Sequence, residues 1–164
     1  MARADLPRPT EDELIARYFA PPDLETLPAV SEAYEASKRI DPALARFAKR
    51  NVHPHKVPGY GIVTISLKPI GAPPGDATSE QMDAIADIAE RYSADELRVS
   101  HEQNLVLPHV KLDDIPVVFA QLQKIGLGIA NAGFVTDIIA CPGLDFCSLA
   151  NARSIPVAIS SSSA

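Results

Sequence analysis

The amino-acid sequence predicts an α+β domain in which two helices pack against an antiparallel sheet. Three observations predict this class. From Tyr60 onward apolar residues alternate with polar ones, the spacing typical of a half-buried strand. Two later segments show apolar residues at helical spacing, and Pro- and Gly-rich turns separate these elements. Hydrophobic residues make up 46% of the 164 residues and charged residues 22%, which is ordinary for one globular domain with an appended segment.

Residues 1–56 are predicted to form a helical segment that precedes the sheet. Thr10 and Glu13 have the spacing of a capping box. An apolar stripe for core packing or docking follows, made of Leu14, Ile15, Tyr18 and Phe19. A second, weaker helix is predicted over 31–39. Asp41 as N-cap and Pro42 at the first helical position begin a third helix. The turn-rich stretch after that helix predicts a hinge, with the domain boundary at residue 56.

Residues 57–130 are predicted to form the sheet and its helices. The expected order is a strand over 61–67, a helix capped by Thr78 and Gln81, strands over 97–100 and 105–110, and a helix over 113–125. Apolar Met82, Ile85, Ala86, Ala89 and Tyr92 should face the sheet from the first of these helices. Pro108 predicts that its strand lies at an edge or ends there. The order is that of a ferredoxin-like unit with one strand missing, which Phe134–Ala140 is predicted to supply.

Residues 131–164 contain both cysteines of the chain, Cys141 and Cys147, on either side of a Pro-Gly turn. Thiolates are soft ligands, and this spacing lets both reach one metal centre. Residues 148–153 are predicted to begin a helix, and 160–164 to form a low-complexity tail. On the residues alone four interpretations stay open: two inert buried thiols, a local disulfide, half of an iron–sulfur site, or a zinc site. Zinc would need two of His53, His55, His101 and His109, although the first two are expected to be solvent-facing loop residues.

The charge pattern disfavours two classes of partner. Lys and Arg number 15 against 21 Asp and Glu, for a net charge of −6 without a basic patch. Such a surface repels nucleic acid and anionic lipid. No apolar run approaches the roughly 20 residues that span a bilayer, and the first residues lack a secretory signal. We therefore expect a cytoplasmic protein that binds neither nucleic acid nor membrane.

Two motifs resemble one enzyme family. Arg98-Val-Ser-His-Glu-Gln-Asn104, followed about thirty residues later by Cys141-Pro-Gly-Leu-Asp-Phe-Cys147, is similar to the C-terminal half of the sirohaem-dependent nitrite/sulfite reductases. The resemblance covers roughly residues 41–158. It implies a ferredoxin-like nitrite/sulfite reductase half-domain over 57–130 and the start of the sirohaem and [4Fe–4S] domain over 131–164.

The resemblance also implies roles for individual residues. Arg98, Gln103 and Asn104 would lie on the sirohaem side, the arginine holding a carboxylate of the macrocycle. Cys141 and Cys147 would be two of the four thiolates of the [4Fe–4S] cluster. In the family a later Cys-x3-Cys supplies the others, and one of its sulfurs bridges to the sirohaem iron. The resemblance names no catalytic acid or base within this stretch.

The implied reaction is the six-electron reduction of sulfite to sulfide, or of nitrite to ammonia. Its electrons come from a donor protein or reductase subunit. Only two of the four thiolates are present in this sequence. We therefore expect a fragment that is inactive alone and holds neither cofactor stably. Two other functions compete, namely a non-enzymatic α+β module that keeps the scaffold and binds a partner, and a small Cys/His zinc protein.

Overall fold

A computed structural model describes residues 9–18 and 20–163. Its helices and strands follow in chain order: α1 Glu11–Tyr18, α2 Glu32–Ile40, α3 Pro42–Asn51, β1 Val52–Pro54, β2 Tyr60–Ile65, α4 Ser79–Tyr92, β3 Arg98–Val99, β4 Leu105–Lys111, α5 Ile115–Lys124 and α6 Ser154–Ser162. This arrangement confirms the α+β class. No helix among these described residues is long and apolar enough to cross a membrane.

The sheet has four antiparallel strands in the order β1-β2-β4-β3. The strand predicted over Phe134–Ala140 is wrong. The Asp137 N–H donates to the Phe134 carbonyl and closes a turn, and residues 138–140 form neither helix nor strand. The fourth strand is β1, which lies in the predicted hinge. It pairs Val52 with Val63 and Pro54 with Gly61. The missing strand thus comes from before the sheet, not after it.

The prediction that β4 lies at a sheet edge or ends at Pro108 is only partly right. The strand continues to Lys111 and lies between β2 and β3 in the strand order. However, β3 pairs only with Leu105 and Val106, so at Pro108 the β3 side of β4 has no ladder partner among the described residues. The register shifts between Gly61, which faces Val110, and Val63, which faces Leu107, so β4 carries the extra residue of a β-bulge. A bulge releases one residue from the ladder, and it is one of the few sheet positions that tolerate proline.

One hydrophobic core joins the sheet to α2, α3, α4 and α5. At its centre the rings of Phe47 and Phe119 lie 4.8 Å apart, and both are buried. Tyr34 and Leu44, from the helices before the predicted boundary, belong to the same core. We call residues 31–127 the sheet body, because they share this core. The boundary at residue 56 stays a prediction.

The helix starts agree with their capping signals. Thr78 and Gln81 form a complete capping box at α4, Asp41 caps α3, and Thr10 exchanges hydrogen bonds with Glu13 at α1. The buried face of α4 differs from the prediction. Ile85, Ile88 and Ala89 are buried, whereas Met82 is 40% exposed and Ala86 is also exposed. Ile88, which the prediction left out, belongs to the buried face of α4.

The apolar stripe predicted for α1 is only partly described. Leu14 is 38% exposed and Ile15 48%, so neither belongs to the core. The stripe also included Phe19, which lies outside the described residues.

Candidate functional site

Both cysteines lie on one irregular loop that precedes α6. Cys141 is exposed and Cys147 is half-buried, and both thiols are free. This placement contradicts two of the four interpretations of the cysteines, the local disulfide and the pair of inert buried thiols. We call residues 131–163 the cysteine segment.

Backbone hydrogen bonds give the cysteine loop its shape. The Cys147 N–H donates to the Gly143 carbonyl at 2.8 Å, and the Leu144 N–H donates to the Ala152 carbonyl at 3.0 Å. Gly143 has a φ of +60°, and a Cβ there would lie 2.6 Å from Ser154 Oγ and 2.8 Å from the Ala152 carbonyl oxygen. Only glycine fits this close approach.

Two sequence predictions for this segment need correction. Residues 148–153 form turns, and the helix begins at Ser154 instead. The predicted low-complexity tail is helical as far as Ser162, and Ala158 on that helix is 3% exposed. Between the cysteines the backbone forms only a short 3-10 helix, Gly143–Asp145, and no α-helix.

The side chain of Gln103 holds the backbone just before Cys141. Its Nε2 donates to the Ala140 carbonyl at 2.9 Å, and its Oε1 accepts from the Ala140 N–H at 3.1 Å. Gln103 has a φ of +58°, in the left-handed region that non-glycine residues seldom adopt. The turn between β3 and β4 thus brings the Gln-Asn motif against the cysteine loop.

A buried ion pair lies beside this clamp. Lys68 Nζ is 2.7 Å from Asp137 Oδ1, and the two side chains are 2% and 6% exposed. Lys68 also donates to the Glu102 carbonyl and to Asn104 Oδ1. Asn104 Nδ2 donates to Asp137 at 2.9 Å, and the Gly133 N–H donates to its other oxygen at 2.9 Å. The ion pair therefore has the additional hydrogen bonds that a buried charge requires.

The surroundings of Asp137 favour its charged form. Burial alone would raise the pKa of Asp137. Hydrogen bonds from Lys68, Asn104 and the Gly133 N–H, together with the Lys68 charge, outweigh burial and hold this pKa below its ordinary value. The carboxylate thus stays ionised at neutral pH, opposite the ammonium group of Lys68.

Sequence reasoning missed both members of this pair. Asp137 is the only charged residue in the apolar run 134–140, which was the available signal. Lys68 continues a strand in which alternate residues are buried, and its position offered no such signal. Of the predicted sirohaem-side residues, Asn104 bonds to the pair, Gln103 is its neighbour in the chain, and Arg98 lies on β3.

Asn104 is 2% exposed, and its amide bonds within the chain to Lys68, Asp137 and the Leu67 N–H. Both polar atoms of the Gln103 amide bond to Ala140. Arg98 is paired with Glu96, its Nε 2.5 Å from Oε1, and its side chain is 59% exposed. The assignment of all three to the sirohaem side stays a prediction.

Two of the histidines bond to each other, and the other two are exposed to solvent. His55 Nε2 is 3.1 Å from His109 Nδ1, and His109 Nε2 is 3.0 Å from Glu96 Oε2, so His55 is not the free loop residue that the sequence predicted. Burial would raise the pKa of Glu96, but hydrogen bonds from Arg98 and His109 hold it below its ordinary value. His53 is exposed, and His101 is 90% exposed beside Glu102.

Metal binding by a preformed protein cage finds no support here. Within the described part of the chain, no three His, Cys, Asp or Glu side chains come together in an arrangement that could hold a metal ion. This argues against the zinc site, which needs the cysteines and two histidines in one place.

A cleft of about 250 Å³ opens beside the ion pair. Its walls include Arg50, Thr64, Glu102, Asn104 and Asp137. The Arg50 guanidinium lies 3.8 Å from the centroid of the Phe134 ring, which joins α3 to the cysteine segment. The cleft thus lies where the sheet body and the cysteine segment meet.

The fold and the site define a ferredoxin-like α+β unit with a dithiol loop packed against its hairpin. Residues 56–125 match the family model of the nitrite/sulfite reductase ferredoxin-like half domain. The chain belongs to the nitrite/sulfite reductase family. This confirms the resemblance and the ferredoxin-like half-domain fold.

Several curated relatives agree with this assignment. The chain is 30% identical over 125 residues to a ferredoxin–nitrite reductase of Synechococcus elongatus, over 74% of this chain and 23% of the relative. It is 32% identical over 113 residues to a chloroplastic ferredoxin–nitrite reductase of Zea mays, over 65% and 19%. It is 29% identical over 93 residues to sulfite reductase [ferredoxin] 2 of Mycolicibacterium paratuberculosis, over 57% and 16%. The chain thus spans less than a quarter of the length of each of these relatives.

Proposed function

We propose that this chain supplies part of a nitrite/sulfite reductase, namely a ferredoxin-like half-domain and a loop with two cluster thiolates. The complete enzyme would reduce sulfite to sulfide, or nitrite to ammonia, with six electrons from a donor protein such as ferredoxin or from a reductase subunit. Family membership supports the class of reaction. The named relatives include both nitrite and sulfite reductases, so the preferred anion is left open.

One observation carries the assignment of the thiolates. Two free thiols lie on one loop outside the core, and Gln103 of the hairpin holds the residue before the first of them. Inert structural cysteines are usually buried in apolar surroundings. Cys141 is exposed instead, at the place where the two family motifs meet.

The donor set fits half of a cluster. A [4Fe–4S] cluster takes four thiolates, and this chain offers Cys141 and Cys147. When bound, the cluster would supply electron transfer to the sirohaem. Gln103 and Asn104 bond within the chain, and a contact from Arg98 to a sirohaem carboxylate would require Arg98 to leave its partner Glu96. With half of the ligands, the isolated chain should reduce neither anion.

Iron binding tests the role of the thiols. The chain is reconstituted without oxygen, with iron, sulfide and an excess of a small thiol that can complete the coordination. We expect iron uptake and the absorption of an iron–thiolate cluster. Cys141→Ser and Cys147→Ser should each lose most of both. Addition of sirohaem, a reductant and nitrite or sulfite should give no turnover.

The controls separate this function from its rivals. A folded chain whose iron uptake is the same with and without the two serine substitutions would contradict the proposal. Zinc uptake that is lost in Cys141→Ser, in Cys147→Ser and in His55→Ala, without iron binding, would identify a zinc protein. Circular dichroism of each variant shows that the fold is kept.

A second function has one specific observation in its favour. Val135, Phe146 and Leu149 in the cysteine segment are 84%, 82% and 93% exposed. Large apolar side chains exposed to solvent are candidates for contact with another protein. A non-enzymatic module would use these side chains to bind a partner in the absence of iron. Stable iron-free complexes of the Cys141→Ser variant would support that alternative.

A further inference from the structure

We propose that Gln103 and the buried Lys68–Asp137 pair are positioning residues that fix Cys141 relative to the sheet body. The proposal rests on the proposed function, because it takes Cys141 as a cluster ligand. None of these three side chains needs to touch the cluster. Their role is to hold the backbone before the cysteine in one place.

The spacing of the contacts along the chain supports this role. Asp137 is four residues before Cys141 and Ala140 is the residue before it. The first is held by Lys68 and Asn104, and the second by both atoms of the Gln103 amide. Two anchors three residues apart leave the short intervening backbone little freedom.

No regular structure could replace these anchors. Residues 131–142 contain neither helix nor strand, so no ladder of backbone hydrogen bonds holds them to the sheet. The side chains of Val135 and Ile139 are 84% and 53% exposed and add little burial. The position of Cys141 therefore depends on polar side chains, both from the neighbouring loops and from Ser154 at the start of α6, whose Oγ donates to the Cys141 carbonyl.

The chemistry of the ion pair agrees with a role in position more than in stability. Taking two charges out of water is costly, and well-packed apolar residues often stabilise a fold equally well. An ion pair, however, accepts only one geometry, which here is fixed further by Asn104 and the Gly133 N–H. Gln103 likewise holds a left-handed backbone conformation that costs energy and aims its amide at Ala140.

The first test follows the Ala140 amide. In Gln103→Leu we expect hydrogen exchange at the Ala140 amide, measured by NMR on the iron-free chain, to be about two- to tenfold faster. This increase corresponds to the loss of one ordinary hydrogen bond. Gln103→Glu keeps the acceptor for the Ala140 N–H and should retain much of the protection. Gln121→Leu is the matched control, since it removes a glutamine that bonds Tyr92 in the sheet body.

The second test follows the position of Cys141 itself. A nitroxide is attached to Cys141 in a Cys147→Ser background, and its electron paramagnetic resonance line shape reports how far the backbone is immobilised. We expect Gln103→Leu and Lys68→Met to make the label more mobile. Lys68→Arg keeps the charge, and the label in that variant should be less mobile than in Lys68→Met.

A double variant separates position from stability. Lys68→Met with Asp137→Leu replaces the pair by apolar side chains, and urea unfolding should show that it recovers stability lost in Lys68→Met alone. We expect its Cys141 label to stay mobile. A label as immobilised as in the parent chain, both in this variant and in Gln103→Leu, would overturn the proposal. Because no iron is used, a failure here is distinct from a failure to bind a cluster.

Discussion

The sheet body and the cysteine segment are held by different forces. In the sheet body, side chains such as Phe47, Ile65 and Leu107 are completely buried. In the cysteine segment, large apolar side chains such as Phe146 and Leu149 face the solvent, and buried polar groups fasten the chain instead. The body therefore draws its stability from apolar burial, whereas the segment draws its geometry from hydrogen bonds and one buried ion pair. We expect the segment to open at a lower free energy than the body.

The largest expected effect compares one residue type in the two regions. Phe47→Ala should lower the free energy of unfolding by about 3–5 kcal/mol, because it leaves a cavity beside Phe119 in the core. Phe146→Ala should change it by no more than about 0.5 kcal/mol, since that ring is 82% exposed. Urea unfolding followed by circular dichroism measures both. Equal losses would show that the cysteine segment belongs to the same cooperative unit as the core.

The next effect compares two glycines with nearly equal backbone angles. Gly126 has a φ of +76° and ends α5, where the Leu127 N–H donates to the Leu122 carbonyl at 2.8 Å. Gly133 has a φ of +75° in the cysteine segment, and an added Cβ would meet nothing within 4 Å at either position. Alanine in the left-handed region costs about 1–2 kcal/mol. The steric cost is thus the same at both.

The consequences should differ between the regions. Gly126→Ala should lower the free energy of global unfolding by that amount. Gly133→Ala should leave global unfolding unchanged and speed hydrogen exchange only at residues 131–142. Urea unfolding and exchange measured on the same samples decide this. A global loss for Gly133→Ala as large as for Gly126→Ala would contradict independent opening of the segment.

The same contrast explains how much the sequence predicts. Period and capping identified α3, α4, β2, β4 and α5, because burial of one face in the core leaves a regular signal. They failed at residues 134–140. The apolar run there suggests a strand, but Asp137 is buried against Lys68, and Phe134, Val135 and Ile139 are exposed. A contact 69 residues away in sequence leaves no local signal.

The candidate site shows the same division. Cys141 and Cys147 could be found from their residue type and spacing, and the comparisons place the chain in the family those motifs indicated. The bonds of Gln103 could not be foreseen, since glutamine in a turn is as compatible with solvent as with a backbone 37 residues away. The bulge at Pro108 could not be foreseen for a related reason, because it depends on the register with Gly61 and Val63.

The smallest expected effect is a dependence on pH that acts first on the cysteine segment. The pKa of Asp137 lies below its ordinary value in the folded chain, so as the pH falls the unfolded chain takes up the proton first. The stability that this carboxylate contributes is complete above its unfolded pKa of about 4 and is lost as the pH falls through the lower folded pKa.

Asp137→Asn cannot titrate at this position, so the difference in hydrogen exchange between the parent chain and this variant isolates the effect of the carboxylate. The difference at residues 133–142 should be constant from pH 7 to about pH 5 and shrink below about pH 4. A difference that does not change down to the acid unfolding of the sheet body would show that Asp137 does not fasten the segment through its charge.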